Sequence, residues 1–164
     1  VRLNHLEGRV RMIGGDLKDA PALLGRGRFT LVLSNPPYRK VGSGIVNPRS
    51  AKAVGRHEIL CTLEDVLSAA SALLAPGGRF AMIHRADRMA DILEGMRRYA
   101  LEPRRLRLIH PRPDKAPNLV LVEAVLRGRP DLRWLPPLFI YEEGGQYTKE
   151  MKEIYHLFPN LSSS

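Results

Sequence analysis

The sequence has little cysteine and no long apolar run. Cys61 is the single cysteine among 164 residues. It excludes an internal disulfide and fits a reducing compartment. No apolar run approaches the roughly 20 residues that a transmembrane helix needs, and no signal-peptide pattern is visible. We therefore expect a cytoplasmic protein that does not associate with membranes.

Acidic residues are also scarce relative to basic ones. The chain has 26 Lys and Arg against 17 Asp and Glu, a net charge of +9 and a pI near 10.2. This balance favours a polyanionic partner, nucleic acid first, although an unspecialised basic surface is the alternative. The length predicts one domain, which we place at 1–158 with a tail at 159–164. The chain begins with Val1 and not Met, which is typical of a processed or truncated piece.

One motif organises the rest of the chain. Phe29–Leu33 is a short apolar, partly β-branched run, which predicts a buried strand. Ser34-Asn35-Pro36-Pro37-Tyr38 follows directly, and its two prolines cannot donate to a sheet ladder. The strand should therefore end abruptly before the prolines, with the Asn35 amide at the carboxyl edge where open α/β sheets bind ligands.

These residue types suit the recognition of an amine. Each proline biases the residue before it toward an extended backbone, so the carbonyls of Asn35 and Pro36 point in fixed directions. The Asn35 side-chain oxygen and the Pro36 carbonyl can together accept both hydrogens of one –NH2 group, such as the N6 amine of adenine. Tyr38 offers a flat face for stacking a base. A plain Pro-Pro turn with Asn as a turn former is the alternative.

Basic residues are concentrated in two stretches. The loop 39–56 carries five cations and no carboxylate, and it is long for a structureless connection. A second basic stretch lies between Arg79 and Arg133. Both predict contacts with a phosphate backbone, although a solvated surface would also explain them. The candidate RNA-binding residues are Arg39, Lys40, Arg49, Arg56, Arg97, Arg98, Arg104 and Arg105. His57 and Glu58 lack metal-ligand spacing to another His or Cys, so we expect no metal site.

The remaining pattern alternates strands and helices. Asp16 precedes a predicted helix over Leu17–Leu24, and it is either an adenosine contact or simply the N-cap. Further predicted helices begin at Glu58, at Asp87 and at Lys149, and they end at Ala75, Ala100 and Tyr155. Ala75-Pro76-Gly77-Gly78 predicts a turn, and Val1–Gly8 the end of a helix. The other predicted strands are Val10–Ile13, Phe80–His84, Leu106–His110 and Leu119–Leu126.

Several of these motifs together resemble one enzyme family. The chain is similar to the bacterial tRNA(Val) (adenine-37-N6)-methyltransferases, which carry the Asn-Pro-Pro-Tyr motif of S-adenosylmethionine (SAM)-dependent amino-methyltransferases. The matching pieces are Gly15-Asp16-Leu17, Ser34–Tyr38, Gly55-Arg56-His57-Glu58, Leu73–Phe80, His110-Pro111-Arg112, Pro136–Tyr141 and Tyr147–Glu150. The resemblance covers roughly the C-terminal two-thirds of such a protein.

The resemblance implies a fold and a site. The fold is an α/β, Rossmann-like, doubly wound class I SAM-methyltransferase sheet with strand order 3-2-1-4-5-7-6. Val10–Ile13 would be its third strand and Phe29–Ser34 its fourth, while the first two strands, which hold most of the cofactor, have no counterpart here. The implied catalytic residues are Asn35, Pro36, Pro37 and Tyr38. SAM would contact Asp16, Leu17 and Asn35.

The implied activity is methyl transfer from SAM to the N6 amine of an adenine in tRNA, giving N6-methyladenine. Two alternatives stay open at this point: a glutamine-N5 methyltransferase of release factors and a non-catalytic RNA-binding fragment. If the first two strands are absent, Leu31, Val32 and Leu33 would lie on an unpaired apolar edge. We expect that edge to pair with an N-terminal segment or with a second copy in a dimer.

Overall fold

A computed structural model gives the structure of this protein for residues 2–36 and 61–156. Numbered in chain order, the helices are α1 Ala20–Leu24, α2 Leu63–Leu73, α3 Met89–Arg98 and α4 Lys149–His156. The strands are β1 Phe29–Ser34, β2 Leu74–Arg85, β3 Leu101–His110, β4 Leu119–Leu126, β5 Arg133–Trp134 and β6 Leu138–Phe139. Short 3-10 helices cover Arg2–Asn4, Leu17–Asp19 and Ala86–Arg88.

The strands form one mixed sheet. Its order is β1-β2-β4-β3-β5, and β6 also pairs with β3. β1 and β2 are parallel, whereas β4 runs antiparallel to both β2 and β3. The first four strands in this order are the fourth, fifth, seventh and sixth strands that the resemblance implied. The expected α/β fold class is confirmed.

The main core lies between one face of the sheet and helices α2 and α3. Alternate residues of β2 and β4 point into it, among them Phe80, Met82, Val120 and Val122, all essentially inaccessible to solvent. Val66 and Leu67 of α2 and Ile92 and Met96 of α3 complete this layer. At Gly95 of α3, an added Cβ would lie 2.8 Å from the Leu67 side chain, so the two helices approach closely there.

A smaller core lies on the other face of the sheet. Ile109, Leu138 and Met151 are buried together, and Ile83 and Ile154 pack against them. Because Ile83 alternates with Met82 along β2, this cluster must lie opposite the main core. Helix α4 therefore covers one end of the second face, where β6 extends the sheet beside β3.

The β1 edge of the sheet is apolar and accessible. Within the described residues β1 pairs with β2 alone. Leu31 is 43% exposed and Leu33 70% exposed, as expected for an edge without a neighbour. Val32 differs from the expectation, since it packs against the main core. The apolar edge thus consists of Leu31 and Leu33.

The predicted strand Val10–Ile13 is wrong for this structure. These residues form neither helix nor strand, and Met12 is 80% exposed. A strand needs a partner to satisfy its backbone groups, and no neighbouring strand is present in the described part of the chain. The expected helix end over Val1–Gly8 is likewise only a single 3-10 turn, Arg2–Asn4.

The observed bounds of one other strand and one helix differ from the predicted bounds. The predicted turn Ala75-Pro76-Gly77-Gly78 lies inside β2, which begins at Leu74 and pairs there with Phe29. A register shift between Phe29 and Leu31, with Gly77 at φ 76°, absorbs the turn-forming residues without ending the strand. The predicted helix from Glu58 to Ala75 is observed as α2 from Leu63 to Leu73, and its predicted start lies outside the described residues. None of the helices within 2–36 and 61–156 is long and apolar enough to cross a membrane.

Candidate functional site at the carboxyl edge of β1 and β2

The Asn35-Pro36 segment directly follows the end of β1. Ser34 is the last residue of the strand and pairs with Met82 of β2. Asn35 is exposed, whereas Pro36 is buried. Burial of Pro36 fixes the direction in which the chain leaves the sheet, and so fixes where the exposed Asn35 amide stands. Pro37 and Tyr38 lie outside the described residues.

His84 is a residue of this edge that the sequence analysis missed. It lies two positions beyond Met82 in β2, so continuing the parallel register of β1 and β2 brings it level with Pro36. Its side chain is 6% exposed, and it is the buried polar residue among those that the structure describes. The signal was a histidine that ends the apolar run Phe80–Ile83 at the functional edge of the sheet.

The protonation state of His84 follows from its contacts. The Arg85 backbone N–H donates to His84 Nδ1 over 2.9 Å. Nδ1 is therefore an acceptor, which places the ring proton on Nε2 in a neutral imidazole. Burial lowers the pKa of His84, and the nearby Arg88 guanidinium lowers it further. The edge therefore contains a neutral histidine at neutral pH.

Asp16 and Leu17 have the positions expected of a helix start. The Lys18 backbone N–H donates to Asp16 Oδ1 over 2.9 Å, so Asp16 caps the 3-10 helix Leu17–Asp19. Leu17 packs against the main core. The capping role that the sequence left open is therefore present. The contact of Asp16 with a nucleoside stays a prediction.

The N-terminus of α2 lies beside this capped segment. Thr62 and Asp65 form a capping box, in which the Thr62 N–H and hydroxyl donate to Asp65 Oδ2 over 2.9 and 2.8 Å. The hydrogen bond from the Thr62 backbone N–H lowers the pKa of Asp65, and Lys18, 3.9 Å away, adds to this. Partial burial raises the pKa of the half-buried Cys61 thiol, as do the charges of Asp65 and Asp16. Asp16, Lys18 and Asp65 thus share one neighbourhood.

The predicted RNA-binding arginines that the structure describes are all in ion pairs. Arg97 contacts Glu102 at 2.9 Å, and Arg98 contacts Glu64 at 2.6 Å and Glu94 at 2.7 Å. Arg104 contacts Asp131 at 3.0 Å, and Arg105 contacts both carboxylate oxygens of Glu123. Arg105 is on the fourth strand of the sheet order, about 14 Å from β1 at normal strand spacing. At that spacing the structure does not bring Arg105 together with Asn35. Arg39, Lys40, Arg49 and Arg56 lie outside the described residues.

Metal ligands are not clustered in the part of the chain that the structure describes. No group of three or more His, Cys, Asp or Glu side chains in residues 2–36 and 61–156 could hold an ion. Among the described residues, the β1–β2 edge carries the Asn35 amide, backbone carbonyls and the His84 imidazole.

Comparison with solved structures identifies the fold. A predicted O-methyltransferase from Agrobacterium tumefaciens superposes with a TM-score of 0.69 at 23% identity, over 94% of this chain and 69% of that one. No family model matches the sequence. The shared sheet, with its antiparallel β4 between β2 and β3, is that of the class I SAM-dependent methyltransferases.

Comparison with curated proteins is more specific. The tRNA1(Val) (adenine(37)-N6)-methyltransferase of Porphyromonas gingivalis strain ATCC 33277 is 36% identical over 117 residues, which are 70% of this chain and 45% of that protein. The Aeromonas salmonicida enzyme of the same name is 29% identical over 153 residues, 93% of this chain and 61% of that protein. The chain is therefore a homologue of a portion of the tRNA1(Val) (adenine(37)-N6)-methyltransferases, and it spans about half the length of the relatives it matches.

Proposed function

We propose that this chain carries the amine-positioning part of a SAM-dependent methyltransferase that acts on the N6 amine of an adenine in tRNA. The observation that carries the proposal is the sequence Ser34-Asn35-Pro36-Pro37-Tyr38, which starts at the carboxyl end of β1 with an exposed Asn35 and a buried Pro36. Residues 1–158 would belong to one methyltransferase domain, and 159–164 would be a tail.

Asn35 and Pro36 would orient the target amine. The Asn35 side-chain oxygen and the Pro36 carbonyl accept its two hydrogens, which turns the nitrogen lone pair toward an approaching methyl group. Tyr38 stacks on the base, and Pro37 holds Pro36 extended. SAM supplies an electrophilic methyl group. The nitrogen lone pair would form the new N–C bond as the methyl–sulfur bond breaks, which leaves the electron pair of that bond on a neutral thioether, and the amine would release one proton to solvent. Catalysis at this site is mainly positioning, so it needs no strongly basic side chain.

The residues near the edge fit an adenosine-containing cofactor in their chemistry. Asp16 presents an exposed carboxylate, and its position is fixed by the Lys18 N–H. Carboxylates accept hydrogen bonds from ribose hydroxyls and from exocyclic amines. Leu17, which packs on the main core, offers an apolar neighbour for the base. Asp16, Leu17 and Asn35 are therefore the residues that would hold SAM.

The proposed polymer substrate is tRNA. The names of the sequence relatives state a tRNA adenine substrate for those proteins, and the net charge of +9 suits a polyanion. The basic loop 39–56 follows the motif directly in sequence. Recognition of tRNA would place the protein in the bacterial cytoplasm.

Labelled SAM tests the activity. The protein is incubated with methyl-labelled SAM and an unmodified tRNA(Val) transcript, and in parallel with a release factor. Label in adenine of the RNA is expected. Label confined to the release factor would replace the proposal with glutamine-N5 methylation. Calorimetry with SAM alone accompanies the assay, and RNA binding without SAM binding would indicate a non-catalytic RNA-binding fragment.

A further inference from the structure

A cleft of about 560 Å³ runs along α2, away from the Asn35-Pro36 segment. Three cations line it, Lys18, Arg26 and Arg127. The hydroxyl-bearing residues Ser68, Ser71 and Tyr99 line it as well. The lining therefore combines three cations with three hydroxyls that can donate hydrogen bonds.

The carboxylate that lines this cleft already has hydrogen-bond and ion-pair partners. Asp65 is the carboxylate among the described lining residues. Its Oδ2 accepts from the Thr62 N–H and hydroxyl, and Lys18 lies 3.9 Å from its other oxygen. By contrast, within residues 2–36 and 61–156 neither Arg26 nor Arg127 has a carboxylate partner or a side-chain hydrogen bond. This distinguishes them from Arg97, Arg98, Arg104 and Arg105, all of which are in ion pairs.

The backbone holds both arginines in place at the edge where the parallel strands begin. Arg26 lies between Gly25 and Gly27, whose φ angles are 89° and 65°. The Gly27 N–H donates to the Ala72 carbonyl of α2 over 2.9 Å. The turn that presents Arg26 is therefore attached to α2.

Arg127 is held in an uncommon conformation. Its φ is 54°, and that of Ala100 is 58°. The Arg127 N–H donates to the Ala100 carbonyl over 2.7 Å, so these two left-handed residues are bonded to each other. A non-glycine residue in the left-handed region is strained, and it persists where its surroundings fix it, often at ligand sites. This conformation places the Arg127 side chain in the wall of the cleft.

We propose that this cleft is an anion site that binds a phosphate group, with Arg26 and Arg127 as its principal ligands. Guanidinium groups match phosphate with paired N–H donors, and the hydroxyl-bearing residues add donors of the right kind. β1 separates the arginine end of the cleft from Asn35 by about 20 Å. The bound phosphate is therefore not that of the reacting nucleotide. A distant phosphate of the RNA substrate is the source that rests on the proposed function, and a free phosphate-bearing molecule is the other source of the same chemistry.

A charge-neutralising double variant tests the site. Arg26→Gln with Arg127→Asn removes both charges, and Asn tolerates the left-handed backbone at 127. Lys152→Gln is the matched control, because Lys152 is an exposed cation of α4, which packs on the opposite face of the sheet. Melting midpoints of both variants are compared with the parent, to confirm that they are folded.

Two binding measurements distinguish the sources of phosphate. Fluorescence anisotropy with labelled tRNA(Val) over a salt series should show several-fold weaker binding by the double variant and a salt slope smaller by about two units. The control should match the parent. Calorimetric titration with inorganic phosphate should show binding that the double variant loses.

The outcomes are separable. A changed tRNA slope identifies the RNA backbone as ligand. An unchanged slope with lost phosphate binding supports the site and assigns it to a small phosphate-bearing molecule. If the double variant equals the parent in both measurements, the proposal is overturned. Both experiments measure binding and not methyl transfer. The phosphate titration would therefore remain valid even if the proposed activity failed its own test.

Discussion

At the scale of single residues, the position of Asn35 is set by its two neighbours in the chain. β1 ends one residue before it, and the buried Pro36 fixes the chain one residue after it. A side chain positioned in this way can orient a substrate without acting as an acid or a base. Its removal should therefore affect reaction more than binding.

Asn35→Ala should reduce methyl transfer by about 100-fold, the size expected when a reacting group is poorly positioned. SAM affinity, measured by calorimetry on the same preparation, should change by much less, because Asn35 acts on the target amine. Thr30→Ala provides the control, because Thr30 is near the start of β1, away from the carboxyl end where Asn35 lies. A folded Asn35→Ala protein with parental turnover would remove Asn35 from the mechanism.

His84 predicts a pH dependence of stability. Burial keeps its folded-state pKa below the ordinary 6.5, so the unfolded chain takes up the proton first as pH falls. The contribution of His84 to folding is therefore fully present above pH 6.5 and is lost as pH falls through the lowered pKa. Urea unfolding at pH 7.5 and pH 5 should show a decrease in the free energy of unfolding.

The same measurement on His84→Asn isolates this group. Asn keeps an acceptor near the position of Nδ1 for the Arg85 N–H but does not titrate in this range. The difference between the two pH values should shrink in the variant. An equal difference in variant and parent would assign the pH dependence to other groups.

At the scale of elements, α2 connects the candidate site to the core. It begins with the Thr62–Asp65 capping box and buries Val66, Leu67 and Ala70 against the sheet. Its first turn lies beside the segment that Asp16 caps. Loosening this turn should therefore also loosen the segment that carries Asp16 and Leu17, the proposed cofactor contacts.

Thr62→Ala should lower the free energy of unfolding by about 1 kcal/mol, the usual cost of losing an N-cap side chain. It removes the hydroxyl that accepts from the Asp65 N–H over 3.1 Å. Urea denaturation measures the change. Ser68→Ala, on the exposed side of the same helix, should leave stability within about 0.5 kcal/mol of the parent. Equal effects of the two substitutions would mean that the cap contributes nothing.

The elements also show what sequence reasoning could and could not reach. β4 was predicted with its observed bounds, because Leu119–Leu126 is apolar, β-branched and bounded by turn residues. β2 was predicted seven residues too short, six of them at its start, since Pro76, Gly77 and Gly78 indicate a turn unless a partner strand holds them extended. Val10–Ile13 failed for the converse reason, because an apolar run becomes a strand only beside another strand.

Within the site, local sequence identified the motif but not its surroundings. The end of β1 at Ser34 followed from the two prolines. The burial of His84 did not follow, because sequence alternation alone does not show which face of β2 meets the main core. The ion pairs Arg98–Glu64 and Arg104–Asp131 could not be predicted either, since they join residues far apart in sequence.

At the scale of the whole molecule, the β1 edge determines how the chain behaves in solution. Leu31 and Leu33 are exposed beside a strand with one described neighbour. Unpaired apolar edges template pairing with other chains. We propose that this edge pairs with an N-terminal segment of a longer chain or, in its absence, with a second copy.

Sedimentation of this chain alone tests that proposal. Concentration-dependent self-association is expected, and Leu31→Lys with Leu33→Lys should reduce it, because charges on an edge strand oppose pairing. Leu121→Lys is the control, since Leu121 is exposed but lies in β4 inside the sheet. A parent chain that stays monomeric at all concentrations and melts cooperatively would show that the open edge has little consequence.

The position of β4 has a consequence for synthesis on the ribosome. β4 is the last long strand to be made, yet it lies between β2 and β3 and pairs with both of them. Until residue 126 has left the exit tunnel, β2 can pair only with β1, and β3 has no long strand to pair with, so most of the sheet must form late. A nascent chain stopped at residue 118 should therefore be digested by protease as readily as an unfolded chain, while one stopped at 156 should be protected. Equal protection of the two would mean that β1, β2 and the helices hold together without β4.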